Sequence, residues 1–297
     1  MAPVLSIVLA VLFVVFGGAL GCLLQGADRI VSARMQGRKG PSIWQPYYDV
    51  RKLLEKDPKG SAPAMTMLCG LSLLCAVVAG AVFFAGGNFL LVVFTITLSS
   101  LLFVLAAYMN PSPFAQIGAQ REILQVMSYE PMVLFVAVGI YLASGSFEVS
   151  ALFDRNVALV VLQPLVFLGF LFVLTIKLRK SPFDLSVAHH AHQELVRGAT
   201  TEMSGRTLAL VEVTHWYENV LFLGWVGMFV VTANPLSVVF AVVVALVVWL
   251  LEIWIDNNFA RVKWQVMLKG AWGVALVASI VNFAVFYFVE SGGVVIF

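Results

Sequence analysis

MAPVLSIVLAVLFVVFGGALGCLLQ, residues 1–25, contains no charged side chain. As a helix it would rise about 37 Å, enough to cross the ~30 Å hydrocarbon core of a bilayer. It lacks the basic leader of a cleaved signal and its apolar run is too long for one, so we read a retained first span over 3–24. Further apolar runs follow at about 62–86, 88–109, 123–144, 157–176, 211–233, 236–255 and 271–290. Of the 297 residues 61% are hydrophobic and 11% charged, with mean hydropathy +0.96. A soluble domain carries about 25% charged residues. The runs are continuous, unlike the alternating strands of an outer-membrane barrel. The expectation is an all-α polytopic membrane protein with eight transmembrane helices in one domain, 1–297. No internal repeat is visible, which weakens an inverted-repeat transporter reading.

Short links, Gly86-Gly87-Asn88 and Asn234-Pro235, join spans two to three and six to seven. Of the 18 Lys/Arg, only Arg155 falls in a segment after an even-numbered span. By the positive-inside rule the segments after odd-numbered spans, about 25–61, 110–122, 177–210 and 256–270, are cytoplasmic, and both termini lie opposite. In the first of them Ile43, Tyr47, Val50 and Leu54 recur at helical spacing, with Asp49, Lys52 and Lys56 on another stripe and Pro46 early. That spacing predicts an amphipathic interfacial helix, suited either to the lipid surface or to a partner protein.

Redox and nucleotide chemistry find no footing in this chain. Cys22, Cys69 and Cys75 all fall inside apolar runs and form no CxxC pair, so they read as small buried hydrophobes. No dinucleotide, Walker or zinc-protease motif is present, and nothing points to nucleic acid.

The acids are the informative residues. After Glu130-Pro131, only 132–143 remain before Ser144-Gly145, about 18 Å of helix. That is too short to cross, so Gln125, Ser128, Tyr129 and Glu130 must enter the membrane. Pro131 has no N–H to donate, which favours a kink and frees a carbonyl. The same arithmetic draws Glu212, His215 and Glu218 into span six, with Glu212, His215 and Asn219 on one stripe. Span seven ends with Glu252 and Asp256 at i, i+4. Ionisable groups at membrane depth are costly and favour a proton path, the other reading for Glu252 and Asp256 being acids in the headgroup zone. All fall on the cytoplasmic halves of their spans, and the outer halves hold no acid before Glu290. The reading is a half-channel completed by a neighbouring membrane protein.

The most polar segment, KLRKSPFDLSVAHHAHQELVRGATTEMSGR (177–206), lies between spans five and six and holds three of the four histidines. Together with DRIVSARMQGRKGPSIWQPYYDVRKLLEKD (28–57) and NPSPFAQIGAQREILQVMSYEP (110–131), it resembles the family formed by the H-type membrane component of respiratory complex I and its hydrogenase relatives. The matching positions include Gly118, Arg121, Gln125, Ser128, Tyr129, Glu130, Pro182, Phe183, Asp184, Glu194, Gly198 and Glu202, and DNNFARVKW (256–264) is a weaker fourth match. Three departures stand out: only Ser42, Ile43 and Trp44 separate GP from QP, Lys177 stands where the complex I pattern has an acid, and HHAHQ replaces an acid-rich run. In that loop the chain resembles most the B-type membrane component of the Ech-type energy-converting [NiFe] hydrogenases.

What the resemblance implies is a multi-pass component of a complex in a prokaryotic plasma membrane. It would anchor a [NiFe] large subunit and a [4Fe–4S] small subunit next to an antiporter-like subunit, with reduced ferredoxin as the indirect electron source. All metal centres would sit on partner chains, and no metal is expected here. Glu130, Glu194, Glu202 and Glu212 would belong to the family's acidic path, joined by His215, Glu218, Glu252 and Asp256. Arg34, Arg38, Lys39, Arg121, Lys177 and Asp184 would face the redox arm, as would His189, His190 and His192. For the histidines, HHxH alone does not specify a metal; a proton-accepting role or a plain loop stays open. The alternatives are a quinone-site subunit of a complex I-like NADH dehydrogenase and, further off, a stand-alone transporter.

Overall fold

In this computed structural model residues 3–56, 62–184, 186–187 and 195–291 are described. They form α1 (Pro3–Met35), α2 (Gln45–Glu55), α3 (Pro63–Phe84), α4 (Phe89–Tyr108) and α5 (Pro113–Ser144), then a short α6 (Leu159–Leu162), α7 (Pro164–Lys177), α8 (Gly205–Met228), α9 (Leu236–Asn258) and α10 (Trp264–Ser291). Among the described residues there are no strands, only two isolated bridges. Prolines 63, 113 and 164 open their helices at a position where the missing N–H costs nothing. The Asn88 side chain caps α4 by accepting from the backbone N–H of Leu90 at 2.9 Å. Gly145, at φ +72°, closes α5 in the left-handed conformation that glycine adopts without strain.

Each of the eight apolar runs is helical. Six helices, α1, α3, α4, α5, α9 and α10, are long and apolar enough to cross a membrane. The fifth run is α7, apolar but only 14 residues long, preceded by α6. The sixth is α8, which has the length but carries Glu212, His215 and Glu218. Large apolar side chains face outward, among them Val239 and Phe240 of α9, 62% and 64% exposed, as lipid-facing surface requires. The chain is a polytopic helical membrane protein. Two helices outrun their apolar stretches: α1 continues to Met35 and α5 begins already at Pro113. Hydropathy marks where lipid ends, whereas a helix stops only where its backbone bonds do.

The core gathers where α3, α4, α5, α7, α8 and α10 meet, around Phe89, Met132, Phe170, Phe222, Trp225 and Phe229. Trp225 meets Phe89 at 5.1 Å and Phe222 at 5.3 Å between ring centres, in edge-on geometry. Helix α2 docks on α8 and α1, but not through the whole predicted stripe. Pro46 and Val50 are buried, with Leu53 beside Cys22, Ala209 and Trp216, while Ile43, Tyr47 and Leu54 stay exposed. The apolar arc is wide, and only its inner edge meets the bundle.

Two backbone interruptions sit inside the bundle, and each is answered by a side chain of α10. Pro131 cannot bond the carbonyl four residues back, that of Met127, and the Trp272 indole N–H donates to it at 3.0 Å. Between α6 and α7, Asn282 accepts from the Leu165 N–H at 3.1 Å and donates to the Leu162 carbonyl at 3.3 Å. Gln163, fully buried at that break, donates to the Gly139 carbonyl at 2.8 Å; a side chain on Gly139 would collide with it. Replacing Trp272 by Phe should destabilise the detergent-solubilised protein by about 1 kcal/mol, the net worth of one hydrogen bond. The same change in a Pro131→Ala background, where residue 131 regains its N–H, should cost measurably less in thermal unfolding.

Candidate functional site

At the ends of α1, α7, α8 and α9, roofed by α2, lies a cavity of about 1040 Å³. Its volume matches that of roughly 30 liquid waters. Its wall is divided about evenly between polar and apolar surface; the polar residues include Gln25, Asp28, Arg29 and Ser32 from α1, Asp49 and Lys52 from α2, and Glu212, His215, Glu218 and Asn219 from α8. Lys177, Arg179, Lys180, Asp256, Asn257 and Arg261 complete it. Helical spacing explains the α8 face, since residues 212, 215 and 219 fall on one stripe.

Charge is compensated within this wall. Lys180 donates to the Asp28 carboxylate and lies 3.8 Å from Asp256, tying the ends of α1 and α9 to the segment after α7. Arg29 pairs with Asp49 at 2.7 Å and so holds α2 to α1. Gln25 accepts from the Trp216 indole at 2.5 Å and extends its amide toward Glu212 at 3.5 Å. The His215 ring meets Phe103 edge-on at 6.4 Å.

A second set of charges fastens the 181–187 segment to α5. Asp184, buried, pairs with Arg261 at 2.9 Å and lies 3.7 Å from Arg121, whose guanidinium stacks over Trp264 at 4.7 Å. Glu122, also buried, accepts from Arg179 at 3.3 Å and from the Ser186 hydroxyl. Backbone bonds from Asp184 N–H to the Val262 carbonyl and from Val262 N–H to the Pro182 carbonyl complete the attachment. Gly118 of α5 lies so close to the Gly198–Ala199 backbone that a Cβ there would overlap it. Removing one partner from a buried pair strands a charge and typically costs about 3–5 kcal/mol, so this attachment is rigid.

From the cavity the charges lead inward. Lys177, 8% exposed, holds its ammonium 3.5 Å above the Tyr129 ring and 4.9 Å from that of Phe222. Glu218, Glu130, Glu122 and Arg179 are its electrostatic neighbours. Tyr129 O–H is 3.4 Å from the Ser100 hydroxyl, and Glu130 accepts from the Thr97 hydroxyl at 3.2 Å. Thr97 stands about 12 Å of helix rise from the Phe89 end of α4 and about 17 Å from the Tyr108 end. Glu130 therefore reaches the middle of the bundle, deeper than its place early in span four suggests. Glu252 is fully buried beside the Thr175 hydroxyl, with no close hydrogen bond to either carboxylate oxygen.

The predicted site residues thus divide. Glu212, His215, Glu218, Asp256 and Lys177 share the cavity, Arg38 reaches its wall, and Glu130 and Glu252 lie inward of it. Lys177, expected to face the redox arm, belongs to the buried cluster. Arg121 and Asp184 form the clamp beside the cavity. Glu202, Arg34 and Lys39 are exposed and do not line it. Glu194, His189, His190 and His192 lie outside the described residues. Sequence reasoning missed Glu122, Arg179, Lys180, Asp28 and Gln25. Glu122 had a signal, because it stands at i+4 from Gly118 and i−3 from Gln125, on the face those residues bury. Among the described residues no group of three His, Cys, Asp or Glu is placed to hold a metal.

The chain is similar to known proteins in sequence and in fold. The family model for NADH dehydrogenase matches residues 6–287. The H component of the NADH-quinone oxidoreductase of Anoxybacillus flavithermus is 31% identical over 290 residues, covering 86% of this chain and 85% of that protein. Hydrogenase-4 component C of Escherichia coli is 30% identical over 207 residues, 64% of each chain. In fold the chain is similar to one from the membrane-bound sulfane sulfur reductase, an archaeal respiratory membrane complex, with TM-score 0.81, 21% identity, and 93% and 99% of the two chains covered. On a match that runs through every helix, this chain belongs to the NADH dehydrogenase family of H-type membrane components, which serve complex I-like and group 4 hydrogenase-like complexes.

Proposed function

We propose that this chain is the anchoring and ion-coupling membrane subunit of a ferredoxin-linked, hydrogen-evolving [NiFe] hydrogenase of Ech type. The observation that carries the reading is a charge-lined cavity with Lys177 in its wall, and Glu130 among the charged neighbours of Lys177, bonded to Thr97 at mid-bundle. The carboxylate, ammonium and guanidinium groups set among the apolar residues of that wall suit water and protons. Its mouth lies at the end that carries the Lys/Arg-rich segments, which the charge rule assigns to the cytoplasm, with both termini opposite. There a hydrogenase large subunit and a [4Fe–4S] small subunit would dock against the segments that Asp184 and Glu122 hold in place. The redox centres would lie on those partners. Glu212, His215, Glu218 and Glu130 would move charge as the arm turns over, and an antiporter-like neighbour would complete the crossing.

A second reading, the quinone-site subunit of a complex I-like dehydrogenase, is favoured by the names of the curated relatives, most of which are NADH-quinone oxidoreductase components. Purification of the tagged chain in mild detergent separates the two. We expect nickel to co-purify with it at near-stoichiometric amounts. An NADH-oxidising flavoprotein partner together with inhibitor-sensitive quinone reduction would select the second reading instead.

Coupling is tested at Glu130. Glu130→Gln should leave the complex assembled and lower ion translocation at least tenfold in inverted vesicles driven by reduced ferredoxin. Unchanged pumping in the assembled variant would remove Glu130 from the path.

A further inference from the structure

The buried cluster contains one feature that a path of carboxylates does not need: an ammonium set among them. Lys177 is the last residue of α7, and its side chain runs back into the bundle rather than out toward water. Among the described residues it forms no direct ion pair, lying instead over the Tyr129 ring with Phe222 beyond. Among the described residues its charged neighbours are Glu218 from α8, Glu122 and Glu130 from α5, and Arg179 two residues further along the chain. On one side it borders the cavity, which His215 and Glu218 also line. On the other, Glu130 turns toward Thr97 of α4.

A purely structural lysine would be locked to a carboxylate, as Lys180 is to Asp28. Lys177 has instead a polarisable ring beneath it, which stabilises the cation without removing its proton. A lysine in such a setting can lose that proton, whereas an arginine retains it at any accessible pH. We propose that Lys177 is the proton relay between the cavity and Glu130. The ammonium gives its proton, through a bridging water, to the Glu130 carboxylate, leaving a neutral amine and a carboxylic acid. The amine then takes a proton from Glu218 or His215 through cavity water, and charge is conserved at each step. The departure at this position thereby acquires a function: a basic group here alternates between cation and amine where an acid would alternate between neutral and anion.

This inference rests on the ion-coupling reading, and one experiment separates the two. The assembled wild-type complex, Lys177→Arg and Lys177→His are placed in inverted vesicles, and ions moved per electron pair are measured across pH. A wild-type complex that turns over without moving ions overturns the coupling reading itself. With wild-type pumping established, Lys177→Arg should assemble, keep electron transfer, and lose at least tenfold in ions moved. Lys177→His should pump with its pH profile displaced to the acid side, because imidazole gives up its proton at lower pH than an amine. Full pumping by Lys177→Arg overturns the relay, as does a histidine variant that assembles and either pumps with the wild-type profile or fails to pump. Where Lys177→Arg does not assemble, the histidine profile decides on the same criterion.

Discussion

Hydrocarbon offers no hydrogen bonds, and the rest of this structure follows from that constraint. Every backbone group and charge that leaves water must be satisfied by the protein itself. Regular helices meet most of the requirement, so the informative places are those where the helix fails. At Pro131 the freed Met127 carbonyl is taken by Trp272, and at the α6–α7 break Asn282 serves both orphaned ends. Both answers come from α10, which packs on α5 and α7. A helix at the edge of the bundle is thus what allows two central helices to be irregular.

The same constraint sorts the charges. Acids and bases at the cavity end are either paired, as Asp184 with Arg261 and Glu122 with Arg179, or face the space that water can fill. The paired ones are fixed and give the 181–187 segment its position on α5. The cavity-facing ones, Glu212, His215 and Glu218, border space that water can fill. Along α5, Arg121 and Glu122 belong to the charged attachment, while Glu130, two turns further in, accepts from a hydroxyl. One helix therefore carries both the attachment of the polar segment and the deepest acid, and a displacement of one would be felt by the other.

Much of this was legible in the sequence, for definite reasons. Apolar length alone locates eight helices, because a bilayer sets a minimum run that chance rarely meets. The shortfall after Glu130 and after Glu218 correctly draws those residues inward, since a helix cannot span what it cannot reach. Helix ends were not legible. Met35 and Pro113 lie in polar sequence, where capping and not hydropathy sets the boundary. Nor was the role of α2's apolar arc, because periodicity says that Val50 and Tyr47 are both apolar-facing but not which edge meets the bundle. The inward course of Lys177 was hidden for a related reason. A lysine at a helix end usually stretches outward, and only the tertiary position of Tyr129 and Phe222 shows it turned inward.

Depth decides what kind of path such a chain can hold. Glu130 meets Thr97 near the middle of α4, and among the described residues no buried acid lies beyond that level. Beyond that level the described polar side chains buried between helices are amides and hydroxyls, among them Gln163, Asn282 and Ser279. Such groups can satisfy a backbone break or hold a water, but they cannot exchange a proton at neutral pH. Under the proposed coupling, a charge that arrives at Glu130 would have two ways to go, back toward the cavity or sideways past α4. On that proposal the chain would load and unload one acid from one face, with direction supplied by whatever lies beside it.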